Sequence, residues 1–265
     1  MKTKILPILA VIILLISCEK VNVATKTEKT PVIEAFIMPQ KDTITVSVKY
    51  MIPYTGTDTI QMPVSGVPVF LIHKKDTVLM TEYPDSSGEY RVLSSKLNFK
   101  PGDSIGLYGL YEDAVFRSAT RIPDSIQSLA ISTSSLFFTG DPKGMMDSGG
   151  LTITWSNPAS DYYYVIIENT ETSPTPLNDM VADLPSMSFA APSQADEFKV
   201  SMRNIRYYGK HRVIVFHINP EFADLFDNAE LTSNAITQPP GNVENAMGIF
   251  TALTADTVYF TVYKN

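Results

Sequence analysis

The chain has 265 residues, 21 basic against 28 acidic, a formal net charge of −7 and a single cysteine. That balance argues against nucleic acid and anionic head groups as partners, since both need clustered Lys and Arg. One cysteine also means that no internal disulfide can hold the core. Thirteen Tyr and thirteen Phe, with 18 Pro and 13 Gly as punctuation, favour short strands and turns.

Lys2 and Lys4 precede an almost wholly apolar run from Ile5 to Ile16, the layout of a secretory signal. The run is too short for a membrane-crossing helix, which needs about 20 residues. It ends at Leu15-Ile16-Ser17-Cys18, which resembles the lipobox of bacterial lipoproteins. Ser17 supplies the small residue preferred before the cysteine, while Ile16 departs from the usual Ala or Ser. The resemblance implies cleavage before Cys18, a covalent diacylglyceryl lipid on its thiol and an N-acyl chain on its freed amino group. No other cofactor is expected. The alternative is an ordinary signal peptide with a leftover buried thiol. Stable anchoring takes two acyl chains or more, which this modification supplies. Removing residues 1–17 lowers the basic count from 21 to 19 and takes the formal charge from −7 to −9.

Residues 18–30 are polar and read as a lipidated tether. A first domain is expected over 31–123. Val32 to Ile37 and Thr43 to Val48 are strands joined by a turn at Pro39 to Asp42, and the second alternates cleanly. Further strands are expected at Val67 to His73, Thr77 to Met80, Gly88 to Val92, on both sides of Pro101-Gly102, and at Val115 to Arg121. Spacing of roughly ten residues between turns suggests a sandwich.

Six pieces occur in order: Cys18-Glu-Lys, Val32-Ile-Glu-Ala, Pro63-Val-Ser-Gly-Val-Pro-Val, Gly88-Glu-Tyr, Lys100-Pro-Gly-Asp-Ser and Ala119-Thr-Arg-Ile-Pro-Asp-Ser-Ile. This order resembles the DUF4249 family of Bacteroidetes lipoproteins, whose function is uncharacterised. The Val64 to Phe70 segment with Gly88-Glu-Tyr and the Pro-Gly-Asp turn is also similar to carboxypeptidase-regulatory-like and prealbumin-like Ig sandwiches.

A second domain is expected over 124–265. Leu151-Thr-Ile-Thr-Trp155-Ser-Asn-Pro leading into Tyr162 to Glu168 resembles the B and C strands of a fibronectin type III domain. Val200 to Ile205, Gly209 to Ile218 and Asp256 to Tyr263 complete the sheets. Gly209 to Ile218 is apolar on both faces, as a central strand is. The one helix signal in the mature chain is at 220–226: Asn219 as N-cap, Pro220 at the first position, and Phe222, Leu225 and Phe226 on one face. Asn242-Val-Glu-Asn-Ala-Met-Gly-Ile-Phe250 resembles the family's closing segment. The whole reads as all-β: two Ig-like or fibronectin III-like sandwiches behind a lipoprotein signal.

Chemistry is sparse. His211 and His217 share a strand face but stand about 20 Å apart at ~3.3 Å per residue, and His73 is expected in solvent beside two lysines. No metal site is expected from them, nor any catalytic residue. Asp141 and Asp147 flank a glycine-bearing loop that could hold Ca²⁺, though a plain loop is favoured. Outward aromatics are the better candidates: Tyr163 and Tyr207 are the expected ligand contacts, by stacking on sugars or anchoring an interface. Met145-Met146 suggests an exposed tip.

These readings favour a non-enzymatic, lipid-anchored outer-membrane protein that acts by binding. Analogy to family and phylum adds an accessory role beside a TonB-dependent transporter. The competing reading is a surface protein that binds or cleaves glycans. Glu19 rather than Asp after the cysteine favours the outer membrane, and Glu19-Lys20 leaves open whether the periplasmic or the external face.

Overall fold

The computed structural model describes residues 30–50, 62–138, 150–201, 203–227 and 241–264. Cys18, the loop from Asp141 to Asp147 and the Met145-Met146 pair lie outside the described residues. Within them the chain is all-β, with several sheets and one α-helix.

The first half forms β1 (Pro31–Ile37), β2 (Thr43–Tyr50), β3 (Val69–His73), β4 (Asp76–Leu79), β5 (Thr81–Glu82), β6 (Glu89–Leu93), β7 (Ser104–Tyr111) and β8 (Ala114–Arg121). Alternation sets what each strand buries. Ile33, Ala35 and Ile37 of β1 and Ile44, Val46 and Val48 of β2 turn inward, against Val69, Leu71, Ile105, Leu107 and Phe116 of the facing sheet. That facing sheet runs β4-β3-β7-β8. Only one side of Pro101-Gly102 is a strand, because a 3-10 turn at Ser94–Lys96 and a loop precede it.

The second half forms β9 (Gln127–Ile131), β10 (Ser135–Phe138), β11 (Leu151–Ser156), β12 (Tyr162–Asn169), β13 (Met187–Phe189), β14 (Glu197–Val200), β15 (Gly209–Ile218), the helix α1 (Pro220–Asp227) and β16 (Met247–Lys264). Leu151, Ile153 and Trp155 of β11 pack on Tyr163, Val165, Ile167, Val213, Val215 and Phe260 of the opposite sheet. The expected strand at Val200 to Ile205 ends instead at Val200. There the Asn204 side chain takes the Ser201 N–H (2.9 Å) and hydroxyl (2.8 Å) and closes a turn.

The boundary expected at residue 123 does not divide the sheets. The last strand, expected at Asp256 to Tyr263, is an 18-residue strand serving both halves. Its residues 247–252 pair in parallel with β1, from Val32↔Met247 to Ile37↔Ala252, and residues 253–262 pair antiparallel with β15. One sheet therefore runs β13-β12-β15-β16-β1-β2-β6-β5, with β10 also on β16. Phe250 and Ala252 are wholly buried in the first core although they lie near the chain's end.

The helix sits where the halves meet. Ile218, Ala223 and Leu253 form a small core there, with Met38, Tyr162 and Phe222 against it. The Asn219 carbonyl accepts from the Phe222 amide (3.0 Å), as a cap should. Its side-chain amide turns instead to Arg121 O (2.7 Å), Thr120 Oγ1 (3.0 Å) and Ala252 O (3.1 Å). Glu221 accepts from the hydroxyls of Thr120 (2.7 Å) and Thr251 (3.0 Å), so one carboxylate joins α1, β8 and β16. Asp124 O takes the Thr254 hydroxyl (2.9 Å) and His217 Nδ1–H (2.8 Å) across the same joint.

Candidate functional site: the outer face of the second sheet

The short motifs singled out in the sequence close on themselves as structural knots. Glu82 accepts from Ser65 Oγ (2.8 Å), Gly66 N (3.0 Å) and Gly88 N (2.9 Å), gathering two motifs on one carboxylate. Partial burial pushes its pKa up, but these donors outweigh that and hold it below the usual range. Tyr90 of the Gly-Glu-Tyr motif donates to Val64 O (2.9 Å) and accepts from Val67 N (2.9 Å) in the core. In the closing segment, Arg117 grips Glu244 with two bonds (2.6 and 2.9 Å), and Asn242 brackets Phe250 through its N–H and carbonyl (2.8 Å each).

Asp103 of the Pro-Gly-Asp turn accepts from Lys74 Nζ, the Lys100 amide and His73 Nε2, each within 3.0 Å. The Lys74 ammonium first, then the Lys100 amide, bring its pKa down to about 2 from 3.8. A depressed carboxylate pKa adds stability above the unfolded value, and that stability is lost as pH falls through the folded value. Asp103→Asn is therefore expected to lower the melting temperature at neutral pH, with the gap from wild type closing between pH about 4 and about 2. Melting curves across that range check it; a gap that stays constant contradicts it.

The histidines are scattered as spacing implied, but His73 is not in solvent. It is 3% exposed, its Nδ1 donating to Leu97 O (2.7 Å) while Nε2 meets Asp103. His211 stacks on Phe260 (4.9 Å), with Nδ1 on Gly209 O (3.0 Å) and Nε2 beside the Asn169 amide (3.3 Å). Burial pushes its pKa down. Among the described residues no group of three His, Cys, Asp or Glu is placed to hold a metal.

The tyrosines are reversed. Tyr163, expected outward, is 4% exposed, stacked on His217 (4.8 Å) with Trp155 tilted against it (5.1 Å); burial raises its pKa. Tyr207 is 6% exposed, and its hydroxyl donates to Ala182 O (3.1 Å) and Leu184 O, pinning that turn. Neither can stack on a ligand from outside. Because successive residues of a strand face opposite ways, it is Tyr162 and Tyr164 that leave the core.

Tyr164 belongs to a larger surface. With Val165, Ile167, Val213, Val215, Phe260 and Val262 all turned inward, the outer side of β13-β12-β15-β16 shows the alternate residues. Register places Phe189, Ile166, Ile214 and Thr257 in one row, and Met187, Glu168, Arg212 and Tyr259 in the next. Phe137 of β10 stacks on Tyr263 of β16 at 5.4 Å farther along. Phe189 and Tyr259 are more than 60% exposed, and Phe137, Met187 and Tyr263 about half. A single ion pair, Arg212–Glu168 at 2.6 Å, interrupts the apolar rows.

At the joint end α1 covers the face, with Phe222 and Phe226 on Tyr164 at 5.6 and 5.4 Å. Beyond that turn Phe189 and Tyr259 stay exposed, with Ile214 half-buried between them. Two-layer sheets ordinarily turn polar residues outward. An apolar outer face of this kind is the mark of a binding surface. The sequence carried a signal for it: Tyr162 to Ile167 and Val213 to Ile218 are apolar at both odd and even positions.

Among solved structures, the FN1–FN3 domains of chicken CNTN1 match with a TM-score of 0.27 and 9% identity, over 72% of this chain and 63% of that one. Domains A168-A170 from titin match with a TM-score of 0.23 and 8% identity, over 88% and 62%. The chain thus spans less than two thirds of the length of either. A comparison with curated proteins gave no match. The model of a domain of unknown function, DUF4249, matches residues 19–258, most of the chain, and the protein belongs to that family.

Proposed function

We propose that this protein is a lipid-anchored outer-membrane protein of Bacteroidetes type that acts by binding a protein partner, without catalysis of its own. The observation that carries the reading is the apolar outer face of β13-β12-β15-β16, where Phe189 and Tyr259 stay exposed among the described residues. Support for the anchor comes from Leu15-Ile16-Ser17-Cys18 and the polar tether that follows. The tether joins the fold at Pro31, beside the Met247 end of β16. Tyr259 lies twelve residues farther along that strand, about 40 Å at ~3.3 Å per residue. Lipid at one end and an apolar face toward the other suit a protein that presents a partner-binding surface away from its anchor. The partner named by analogy is a TonB-dependent transporter.

The test is a mild-detergent pull-down of the tagged chain from its native outer membrane, followed by mass spectrometry. The expected result is one stoichiometric membrane partner, lost when Cys18→Ser releases the protein from the membrane. Recovery of the chain alone would overturn the reading. The other sequence-based reading, glycan binding through Tyr163 and Tyr207, loses its platform because both rings are buried. It needs a different site.

A further inference from the structure

The long strand β16 is paired along the whole of one edge and only at the two ends of the other. On one side, residues 253–262 meet β15 in unbroken register. On the other, β1 pairs with residues 247–252 and β10 with residues 261–264, both in parallel. No described strand other than β15 pairs with residues 253–260.

Alternation tells which backbone groups lie on that open side. The N–H and C=O of one residue point to the same edge, and those of the next residue to the other. Lys210 O accepts from the Thr170 amide (2.9 Å), so the even residues of β15 serve β12 and the odd ones serve β16. Those odd residues stand opposite the even residues of β16, from His211↔Phe260 to His217↔Thr254. The odd residues of β16 therefore serve its other edge, where the Thr261 amide donates to Ser134 O (2.9 Å). Leu253 is buried in the small core beside α1. From Ala255 to Tyr259 the edge opens: Asp256 is exposed and Tyr259 is 63% exposed. Along that stretch, about 17 Å at ~3.4 Å per residue, Ala255, Thr257 and Tyr259 turn their N–H and C=O toward the unpaired side.

An exposed edge of this kind is a template for pairing with another chain. One residue guards it, since the Thr257 amide donates to the Asp256 carboxylate at 2.7 Å. The apolar rows of the outer face end here as well. Phe189, Ile166 and Ile214 lead to Thr257, and Met187, Glu168 and Arg212 lead to Tyr259. A strand added at this edge lengthens both rows by one side chain. Asp256 favours a segment with a basic residue beside it over one with an acidic residue. From this we infer that the partner is held by strand addition: an extended, proline-free segment of it, apolar at alternate positions and carrying a basic residue, pairs with Ala255 to Tyr259 between β1 and β10. The inference rests on the partner-binding reading of the second sheet and adds the backbone pairing by which that partner is held.

The test compares amide exchange in the purified protein with that in the complex recovered by mild-detergent pull-down from the native outer membrane, read residue by residue by mass spectrometry. In the complex the Ala255, Thr257 and Tyr259 amides should slow about tenfold or more. Asp256 and Val258, whose amides serve β15, should not change. Contact with the apolar face alone does not produce that alternation. Thr257→Pro removes an edge N–H without touching a β15 bond and should cut partner recovery about tenfold; Asp256→Lys should also lower it. Edge amides that exchange equally fast in free protein and complex overturn the inference and leave the partner reading standing, whereas recovery of the chain alone overturns both. Edge amides already slow in the free protein show that the chain fills its own edge, and slowing that grows with the concentration of free protein shows a second copy there; either result also overturns it. The exchange pattern, read on the unaltered chain, decides even if Thr257→Pro does not fold.

Discussion

Gly248→Ala is expected to be among the most damaging single substitutions in the chain, costing about 3 kcal/mol or more. Gly248 holds φ +102°, a conformation that L side chains rarely adopt, at the start of β16. An added Cβ would lie 2.0 Å from Ile33 O, 2.9 Å from its carbonyl carbon and 3.0 Å from its N. Ile33 cannot retreat, because β1 is paired with β2 on one side (Ile33↔Val48) and with β16 (Ile33↔Gly248). The control is Gly66→Ala. Gly66 also has positive φ (+73°), but nothing lies within 4 Å of the added atom. It should cost only about 1 kcal/mol, the conformational penalty alone. Urea unfolding of the two variants checks the contrast; equal losses would mean that the β1–β16 contact is not tight.

The second large effect concerns the shared strand. Residues 30–123 expressed alone should fail to fold, although they span all eight strands from β1 to β8. That fragment lacks Phe250 and Ala252, both 0% exposed in its core, and exposes the edge of β1 that β16 covers. It also loses the Arg117–Glu244 and Ser118–Asn242 clasps. A core aromatic alone is worth about 3–5 kcal/mol, comparable with the whole stability of a small domain, about 5–15 kcal/mol. Joining residues 241–252 to the fragment through a flexible linker should restore folding. Amide dispersion in a two-dimensional NMR spectrum reads the result, and a well-dispersed spectrum from 30–123 alone would contradict it.

Most strands were legible because their patterns are local. Thr43 to Val48 alternates strictly, and the observed strand buries Ile44, Val46 and Val48 as alternation requires. Asn219-Pro220-Glu221 marked the helix start for reasons that hold within one turn. What was not legible depends on distant partners. Only Asp256 to Tyr263 of the long last strand reads as a strand, because Gly248 suggests a turn before it; β1 and β15, over two hundred and about forty residues away, show that the strand starts at Met247. The same limit explains the tyrosines. Tyr162 to Ile167 is apolar on both faces, so alternation says that neighbours oppose one another but not which of them faces the core. Trp155 and His217, packed against Tyr163, decide it. His73 was misplaced because Lys74 and Lys75 suggest solvent, while its partners, Leu97 O and Asp103, come from a loop that folds back.

The family motifs show a related difference between recognition and role. Ser65-Gly66, Gly88 and Tyr90 looked like markers of a family, and the structure gives each a bond that closes the first sandwich. Their chemistry holds the scaffold. The candidate face is instead built from residues such as Phe189 and Tyr259, which belong to none of those motifs.

Site-specific photo-crosslinking in the native membrane tests the binding account most directly. A photoreactive phenylalanine analogue would replace Phe189, Tyr259 or, as controls on the opposite sheet, Leu79 and Tyr108, both exposed. The account predicts one discrete adduct of the same partner from positions 189 and 259, and none from 79 and 108. Adducts of equal yield from all four positions, or adducts from the control positions alone, would contradict it.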